Sequence, residues 1–296
     1  MNAVPLRIVV GFSAGSASDD IANLIAKPLG KALQRPVNIE RIPGKNGAHG
    51  AMAVARAPAD GNTLFVATLG THALAPHVRK DLPYDPQRDF EPVSLLTQAP
   101  MLLACHPALP VRDLPDFVAY ARANPGMLAY GTSAIGGAPH LAAELFQAVS
   151  GVQLRHTRYD ETQQLYADLE AGRIALSFNN IMSMMPRCNA GKLHALGVTA
   201  SERSAVALQV PTLAESGIVG GEVSNWLGLV APRGMAAAQV DAISTAARTV
   251  IGSASVAAVL GAAGITPCGS TPGGFGQFMD AELIRWKPVV TRFSAA

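Results

Sequence analysis

Two short loops rich in glycine and serine constrain this chain more than any other feature. The first, GFSAGSASD at 11–19, follows the apolar run Ile8–Val10; the second, YGTSAIGGAPH, spans 130–140. Each pattern predicts a strand, a loop and a helix start, where unpartnered N–H groups and the positive end of the helix dipole face the loop. Small residues let a ligand approach the backbone closely. Together the two loops predict a cleft that holds a small carboxylate from both sides.

Composition excludes several classes of protein. The 296 residues suffice for two domains with cores of their own. A net charge of +2 without a cluster of Lys and Arg disfavours nucleic-acid binding. No apolar stretch reaches the roughly 18–20 residues that span a bilayer. Since no nucleotide-binding fingerprint, P-loop or metal-ligand spacing is present, we expect no cofactor and no metal.

The N-terminus and the cysteines leave the cellular compartment open. Met1–Pro5 leads almost directly into a strand, which is typical of a cytoplasmic protein or of one whose secretion signal has been removed. Cys105, Cys188 and Cys268 are interpreted as small buried side chains. A Cys105–Cys188 bridge remains an alternative if the chain is exported.

Strands and helices alternate along most of the chain, which favours an α/β architecture with parallel sheets. The alternation breaks near residues 100 and 224. We therefore predict an outer lobe, 1–100 and 225–296, and an inserted lobe, 101–224, with one glycine loop in each and the ligand between them. The predicted strands are Leu6–Val10, Val37–Glu40, Leu64–Thr68, Val93–Leu96, Met101–Cys105, Leu128–Tyr130, Gln153–Thr157, Ile174–Phe178, Leu193–Val198 and Trp226–Val230. The predicted helices are Asp19–Gln34, Gly50–Ala57, Leu114–Asn124, Pro139–Ser150, Thr162–Ala171, Ala237–Ile251, Ser253–Ala263 and Gly273–Thr291.

An enzymatic alternative rests on Ser13, because Gly11–Gly15 also fits the Gly-x-Ser-x-Gly elbow of serine hydrolases. In an elbow the helix starts almost immediately after the serine, whereas here the helical pattern begins about six residues later. The Ser13 hydroxyl and the backbone around it are better candidates for hydrogen bonds to a ligand.

Several other polar residues have both a structural and a functional interpretation. Asp19 either caps a helix, with Ser16 in a capping box, or belongs to the ligand site. Asn179 either faces the ligand at a strand end or forms a turn with Asn180. For Trp226, a position in the core is favoured over a position in the wall of the cleft. The histidines His49, His72 and His140 are expected to be ordinary hydrogen-bonded loop residues.

The combination of motifs resembles one family over nearly the whole chain, from about Leu6 to Phe293. The family comprises the extracytoplasmic solute receptors of tripartite tricarboxylate transporters, also called Bug proteins. The matching motifs are Phe12–Asp19, Pro43-Gly44 with Gly47 and Gly50, Pro58–Gly61, Gly70–His72, Leu82–Pro86 with Asp89-Phe90, Tyr130–Ser133, His140–Ala142 with Glu144 and Phe146, Gly191–Leu193 with Val198-Thr199, Arg203-Ser204, Val210–Thr212 with Glu215, and Trp226 with Gly228 and Ala231-Pro232.

The resemblance implies a two-lobed periplasmic binding protein, or Venus flytrap, in which each lobe is a mostly parallel sheet flanked by helices. It implies a non-enzymatic receptor in the periplasm, with its signal peptide removed, that passes a small organic acid to membrane permease subunits. A sensory role through a partner protein is a further alternative. The expected ligand-binding residues are Phe12, Ser13, Ala14, Gly15, Ser16, Asp19, Thr71, Thr132, Ser133, Gly136, Gly137 and Asn179.

The chain departs from the family pattern at several positions. Gly15-Ser16 replaces a Gly-Gly pair, Asn23 replaces an arginine, and Arg158–Glu161 replaces Pro-Tyr-Lys-Gly. Asn179 stands where the family has an aspartate that can meet a ligand's ammonium group. We therefore expect a simple mono- or dicarboxylate, aliphatic or aromatic, or an acid with a neutral head group, over an amino acid, unless Asp160 supplies the missing charge.

Overall fold

The computed structural model describes residues 4–132 and 137–293. Strands and helices alternate along the chain, as the sequence predicts. The strands are β1 Leu6–Val10, β2 Val37–Arg41, β3 Thr63–Thr68, β4 Phe90–Cys105, β5 Ala129–Thr132, β6 Arg155–Arg158, β7 Leu176–Asn180, β8 His194–Val198, β9 Ser224–Pro232 and β10 Thr266–Pro267. The helices are α1 Ala17–Leu33, α2 Ala48–Ala55, α3 Ala75–Val78, α4 Leu114–Ala123, α5 Ala138–Ser150, α6 Thr162–Glu170, α7 Ile181–Asn189, α8 Ala237–Ile251, α9 Ala254–Ala262 and α10 Pro272–Phe293.

The chain divides into two compact units. Unit 1 comprises Met1–Gln98, Trp226–Gly261 and Thr266–Ala296; unit 2 comprises Ala99–Asn225 and Ala262–Ile265. The predicted outer lobe had included residues 99–100, 225 and 262–265, which belong to unit 2. The division into an outer and an inserted lobe otherwise stays a prediction.

The sheet of unit 1 is built around β1, whose apolar residues are buried. Strand β1 lies between β2 and β3 and is parallel to both. Strand β9 pairs antiparallel with β3, and β10 pairs antiparallel with the first half of β4. Helix α1, with Ile21, Ile25 and Leu29 buried on one face, packs against α8. The 3.6-residue spacing of those side chains is the pattern that predicted this helix.

In the sheet of unit 2, β5 lies between β6 and β7 and is parallel to both. The second half of β4 pairs antiparallel with β7 and with β8. Helix α5 packs on β5 and β7, with Leu141 and Phe146 buried. The α/β class is confirmed, and the antiparallel pairings involve β4 and β9.

The prediction of two strands, Val93–Leu96 and Met101–Cys105, is wrong: both belong to the single strand β4, which runs through Pro100. A proline has no N–H group and is tolerated in a strand only where no ladder hydrogen bond is needed. Strand β4 pairs with β10 through Thr97 and Gln98, and with β7 from Met101 onward. Pro100 therefore lies between two paired stretches and interrupts neither.

The interpretation of Asn179-Asn180 as a turn is also wrong. Strand β7 continues through both residues to Asn180, which is the N-cap of α7. Helix α7 was missed in the sequence because its nine residues, IMSMMPRCN, are few and include a proline, although Ile181, Met184 and Met185 are buried at helical spacing.

The core of unit 1 contains a buried carboxylate. Trp226 and Trp286, both fully buried, each donate their indole N–H to Glu282 Oε2 at 3.0 Å. The Trp226 ring also meets Phe275 edge to face. The interpretation of Trp226 as a core residue is confirmed.

The structure also shows the state of the three cysteines. Cys105, Cys188 and Cys268 are free thiols, and burial raises the pKa of Cys105 to about 12.

Within the described part of the chain, no single helix is long and apolar enough to cross a bilayer; only α8 and α9 taken together, bent by 63° at their junction, pass that test.

Glu282→Ala is expected to destabilise the protein by at least about 2 kcal/mol, because it leaves two buried indole N–H groups without an acceptor. Glu282→Gln retains an acceptor oxygen and is the matched control, with an expected loss below about 1 kcal/mol. Chemical unfolding of the two variants measures the difference. Equal losses would show that the negative charge, and not the acceptor, matters here.

Candidate functional site

The first glycine-rich loop lies open at the end of β1. Gly11 is buried, Phe12 is half-buried, and Ser13, Ala14 and Gly15 are exposed. Among the hydrogen bonds of the described residues, none uses the backbone N–H of Ser13 or Ala14. These two donors are therefore available to a ligand that approaches the start of α1.

A serine cap fixes the beginning of α1. The Ser16 hydroxyl accepts from the Asp19 N–H at 3.3 Å, as the predicted capping box requires. A capping box also requires a hydrogen bond from the Ser16 N–H to the Asp19 side chain, and this part of the prediction is wrong. Asp19 Oδ2 instead accepts from the Gly15 N–H at 3.0 Å. The Ser16 N–H instead donates to the Ser13 carbonyl at 3.2 Å. Gly15 has a φ of 77°, which glycine adopts without the penalty that a side chain brings.

Asp19 joins this loop to the neighbouring strand. Its side chain is nearly buried, and Oδ1 accepts from Arg41 Nε at 2.7 Å. Burial disfavours the ionised form, but the hydrogen bonds from Arg41 and Gly15 outweigh it and hold the pKa of Asp19 below its ordinary value. Both carboxylate oxygens therefore have partners within unit 1, so Asp19 shapes the loop. The contribution of Arg41 was missed because it lies on β2, 22 residues further along the chain.

A turn that contains two glycines, at residues 44–47, packs against Phe12 of the first loop. Residues 44–47 all have positive φ angles, from 47° to 130°. A Cβ atom on Gly47 would lie 2.7 Å from the Thr71 methyl carbon and 3.0 Å from the Phe12 ring. The family motif that contains Gly47 therefore has a packing role here: it lets Phe12 and Thr71 approach the backbone.

Thr71 is fully buried in a π-helical turn, Leu69–Leu74. Its hydroxyl and that of Thr68 cap one another's backbone N–H groups at 3.0 and 3.1 Å. The Thr71 carbonyl accepts from the Tyr84 hydroxyl at 2.8 Å. A direct contact of Thr71 with a ligand stays a prediction.

His72 is not the ordinary loop histidine that we expected. It is fully buried among the rings of Phe65, Tyr84 and Phe90, and burial lowers its pKa to about 3. Nδ1 lies 3.0 Å from the Thr71 hydroxyl, whereas Nε2 has no partner among the described residues. The side chain belongs to the aromatic core because the π-helical turn points it inward.

The second loop is described only at its two ends. Thr132 ends β5 fully buried, with Oγ1 2.7 Å from His156 Nε2, and Gly137 is the N-cap of α5. Ser133 and Gly136, also predicted to bind the ligand, lie outside the described residues. Their role stays a prediction.

His140 differs from the loop histidine that was expected. It lies in the first turn of α5, largely buried, with its ring 4.7 Å from that of His156. The Tyr130 ring stacks on His156 at 4.9 Å, and the Tyr130 hydroxyl donates to Glu144. A compact group of polar side chains therefore lies beside the second loop.

Asn179 is also in unit 2 and is largely buried. Its Oδ1 accepts from the Asn180 N–H at 2.9 Å at the start of α7. The amide thus has a structural role at this helix start, and its predicted contact with a ligand remains to be tested.

Neither an esterase site nor a metal centre is assembled in the described residues. Helix α1 begins four residues after Ser13, so the strand does not pass directly into the helix as in a nucleophile elbow. Within residues 4–132 and 137–293, Ser13 Oγ has no hydrogen bond to a histidine. No group of three or more His, Cys, Asp or Glu side chains in those ranges could hold a metal ion.

Comparisons with known proteins give a consistent result. The model of the tripartite tricarboxylate transporter family receptor matches residues 21–294. BugT of Bordetella pertussis is 30% identical, over 99% of this chain and 90% of its own.

Solved structures agree with the sequence relatives. Rpa4515 of R. palustris with adipate has a TM-score of 0.85 and 34% identity, over 97% of this chain and 96% of its own. A structure described as a periplasmic transporter gives the same values. MatC of Rhodopseudomonas palustris with bound malate has a TM-score of 0.82 and 32% identity, over 97% and 99% of the two chains. The two-lobed periplasmic binding-protein fold is thereby confirmed.

Asp19→Asn is expected to lower the free energy of unfolding by about 1–3 kcal/mol, since it removes the charged partner of Arg41. The pKa of Asp19 is lowered on folding, so its stabilisation is present above the ordinary pKa near 3.9 and is lost as the pH falls through the folded value. The difference between wild type and variant should therefore shrink on acidification from pH 7 to 3.

Asp20→Asn is the control, because Asp20 is exposed in the same helical turn and lacks these partners. It should cost no more than about 0.5 kcal/mol. Urea unfolding at a series of pH values measures both variants. Equal losses would mean that Asp19 stabilises only through the helix dipole.

Proposed function

The chain belongs to the tripartite tricarboxylate transporter receptor family, and from this premise we propose that it is a periplasmic receptor that binds a small organic carboxylate and delivers it to the membrane subunits of such a transporter. The solved relatives with adipate and with malate support a mono- or dicarboxylate as the ligand. Removal of a signal peptide before export is part of the same proposal.

The observation that carries the proposal is the exposed first loop at the start of α1. A helix start with free N–H groups favours anions through both hydrogen bonds and the helix dipole. Ser13 and Ala14 lie in the loop just before that helix start and have free N–H groups, and Asp19 accepts a hydrogen bond from Gly15 in the same loop. We propose that the backbone from Phe12 to Ser16 binds a ligand carboxylate and that Asp19 acts on it indirectly.

The second loop is proposed to contribute to the same function. Thr132 ends β5, and Gly137 is the N-cap of α5, which provides a second helix N-terminus. Ser133 and Gly136, which lie between them in the sequence, are proposed to take part as well. No side-chain cap occupies that N-terminus at Gly137. Its N–H groups would therefore suit a carboxylate in the same way as those of α1.

The ligand is proposed to be a carboxylic acid without an ammonium group. Asn179 has no negative charge to offer, and its carbonyl oxygen is engaged by the Asn180 N–H. Glutarate should therefore bind more tightly than glutamate. Tighter binding of glutamate would contradict this part of the proposal and point to Asp160.

A thermal-shift screen against mono-, di- and tricarboxylates, aromatic acids and acidic amino acids tests the function directly. A ligand at about a thousand times its Kd stabilises a protein by roughly 4 kcal/mol, which raises Tm by several degrees at this chain length. A shift confined to carboxylates supports the receptor. Turnover of activated esters that disappears in Ser13→Ala would instead support a hydrolase, whereas we propose a protein without enzymatic activity.

Gly15→Ala tests the first loop. The φ of 77° disfavours a side chain by about 1–2 kcal/mol, although a Cβ atom would meet no atom within 4 Å. We expect the loop to relax away from its binding conformation, which raises the Kd for the carboxylate found in the screen by about 5–30-fold.

Gly217→Ala is the matched control for backbone strain. Gly217 has a φ of 85°, is exposed in unit 2, and likewise has open space at its Cβ position. It should lower Tm as much as Gly15→Ala and leave Kd unchanged in isothermal titration calorimetry. Unchanged affinity in Gly15→Ala would refute the proposed role of this loop.

A further inference from the structure

A cavity of about 180 Å³ in unit 1 is bordered by His72, the last residue of the Gly70–His72 motif. The side chain is fully buried, and its Nε2 has no hydrogen-bond partner among the described residues. Buried polar atoms in folded proteins are nearly always hydrogen-bonded, so such an exception calls for an explanation. The binding of a carboxylate by the first loop does not use this nitrogen.

The ring of His72 is held in one orientation. Its Nδ1 lies 3.0 Å from the Thr71 hydroxyl. The ring stacks on Phe65 at 5.8 Å between centroids, and it meets the edge of Phe90 at 4.7 Å. Nε2 cannot turn to another protein partner without the loss of these contacts, so any partner has to come to the nitrogen.

The free nitrogen suits a hydroxyl group. A neutral imidazole has one nitrogen that donates and one that accepts, and the Thr71 hydroxyl can take either role toward Nδ1. Nε2 is therefore an acceptor in one tautomer and a donor in the other. A hydroxyl both donates and accepts, so it is complementary to His72 in both tautomers, whereas a carboxylate fits only one.

The rest of the lining favours an apolar ligand body. Five of the side chains around the cavity are apolar: Pro86, Phe90, Pro92, Met279 and Leu283. A dry, apolar cavity of roughly 150 Å³ is large enough to bind benzene. A ring with one hydroxyl group therefore matches both the size of the cavity and the distribution of its polar atoms.

The charges at the cavity favour a neutral ligand. Arg233 also borders the cavity, but its Nε lies 3.3 Å from Glu91 Oε1. Asp280 likewise accepts from Gln87 Nε2 at 2.8 Å. Burial lowers the pKa of His72 to about 3, so the ring is uncharged at neutral pH. Each charged group thus has a partner of its own, and none calls for a counter-ion.

A groove of about 950 Å³ provides the route to the cavity. The two spaces share Pro86, Gln87, Asp280 and Leu283 as lining residues. The hydrogen bond between Gln87 and Asp280 is exposed, so water can replace it when a molecule passes. Met279 on the inner side has an unbranched, adaptable side chain, which can move to open a path to the buried nitrogen.

We propose that this cavity is a second binding site, for a small neutral phenol whose hydroxyl group forms a hydrogen bond with His72 Nε2 and whose ring packs against Phe90, Met279 and Leu283. The site lies within unit 1 and does not depend on the proposed carboxylate site. The proposal gives the unpartnered nitrogen of the Gly-Thr-His motif a function in binding.

An NMR titration of the full chain with phenol tests the proposal, read on the imidazole nitrogens. We expect a saturable shift of the His72 Nε2 signal with a Kd of about 1 mM, as is reasonable for so small a ligand. His194 is the internal control, because its Nε2 lies in unit 2, 3.0 Å from the Arg112 carbonyl. A His72 signal that does not move at about tenfold that concentration would overturn the proposal.

Toluene is the matched probe, since it has a methyl group in place of the hydroxyl. The wild type should bind it at least about threefold more weakly than phenol. His72→Phe keeps an aromatic ring among Phe65 and Phe90 but removes the nitrogen, so this preference should reverse in favour of toluene. A preference for toluene in the wild type would contradict the role of His72.

Gly276→Leu tests the location of the site. Gly276 lines the cavity from α10, and a Cβ atom there would lie 3.4 Å from Pro92 Cγ, so a leucine side chain would take up part of the space. The Kd for phenol should rise at least about tenfold. Gly273→Leu is the control on the same helix, because Gly273 is exposed, has open space at its Cβ position and does not line the cavity. Equal affinities in the two variants would refute the assignment.

The wild-type titration decides the matter even if a variant fails to fold. A buried water that hydrogen-bonds to Nε2, with no shift on addition of phenol, would show a structural role only and would overturn the proposal. A chain that binds carboxylates but leaves the His72 signal unmoved by phenol refutes this inference alone. A chain that binds phenol at His72 but none of the screened carboxylates refutes the proposed function alone.

Discussion

The carboxylate of Asp19 is the interaction on which the first loop depends. One oxygen accepts from the Gly15 N–H and the other from Arg41, so a single buried group joins the loop, the start of α1 and the end of β2. Hydrogen bonds to a charged group are stronger than neutral ones, and this one is shielded from water. The loop can therefore be rich in small residues and still keep a defined conformation.

The second loop has a support of another kind. Around β5 the polar side chains satisfy one another: Tyr130 with Glu144, and Thr132 with His156. Such a network is stable only while its partners keep compatible protonation states. The first loop is thus held by an ion pair, whereas the hydrogen bonds beside the second loop include His156, whose pKa is lowered by burial.

The sequence predicted the α/β class, most elements and the first loop because these depend on local patterns: buried apolar strands, the 3.6-residue period of α1 and the Ser16 cap. The sequence could not predict that Arg41 pairs with Asp19 or that His156 contacts Thr132. The two residues of each pair are more than 20 positions apart and are brought together only by strand pairing. It assigned His72 to a loop because the Gly-Thr-His motif does not show that a π-helical turn directs the ring into the core. The division of β4 into two strands at Pro100 was wrong because the sequence does not say where the partners of this strand change.

The pairing of Arg41 with Asp19 has a consequence for how an anion is recognised. A free arginine in the loop would attract any anion, whereas an arginine already bound to a carboxylate contributes little net charge. In the site that we propose, recognition would then fall to N–H groups whose directions are fixed by the backbone. Such donors distinguish ligands by geometry, because a misplaced carboxylate loses hydrogen bonds without the compensation of a strong long-range attraction. A receptor that bound its ligand in the proposed way would release it readily, since no full ion pair between ligand and protein would have to be broken.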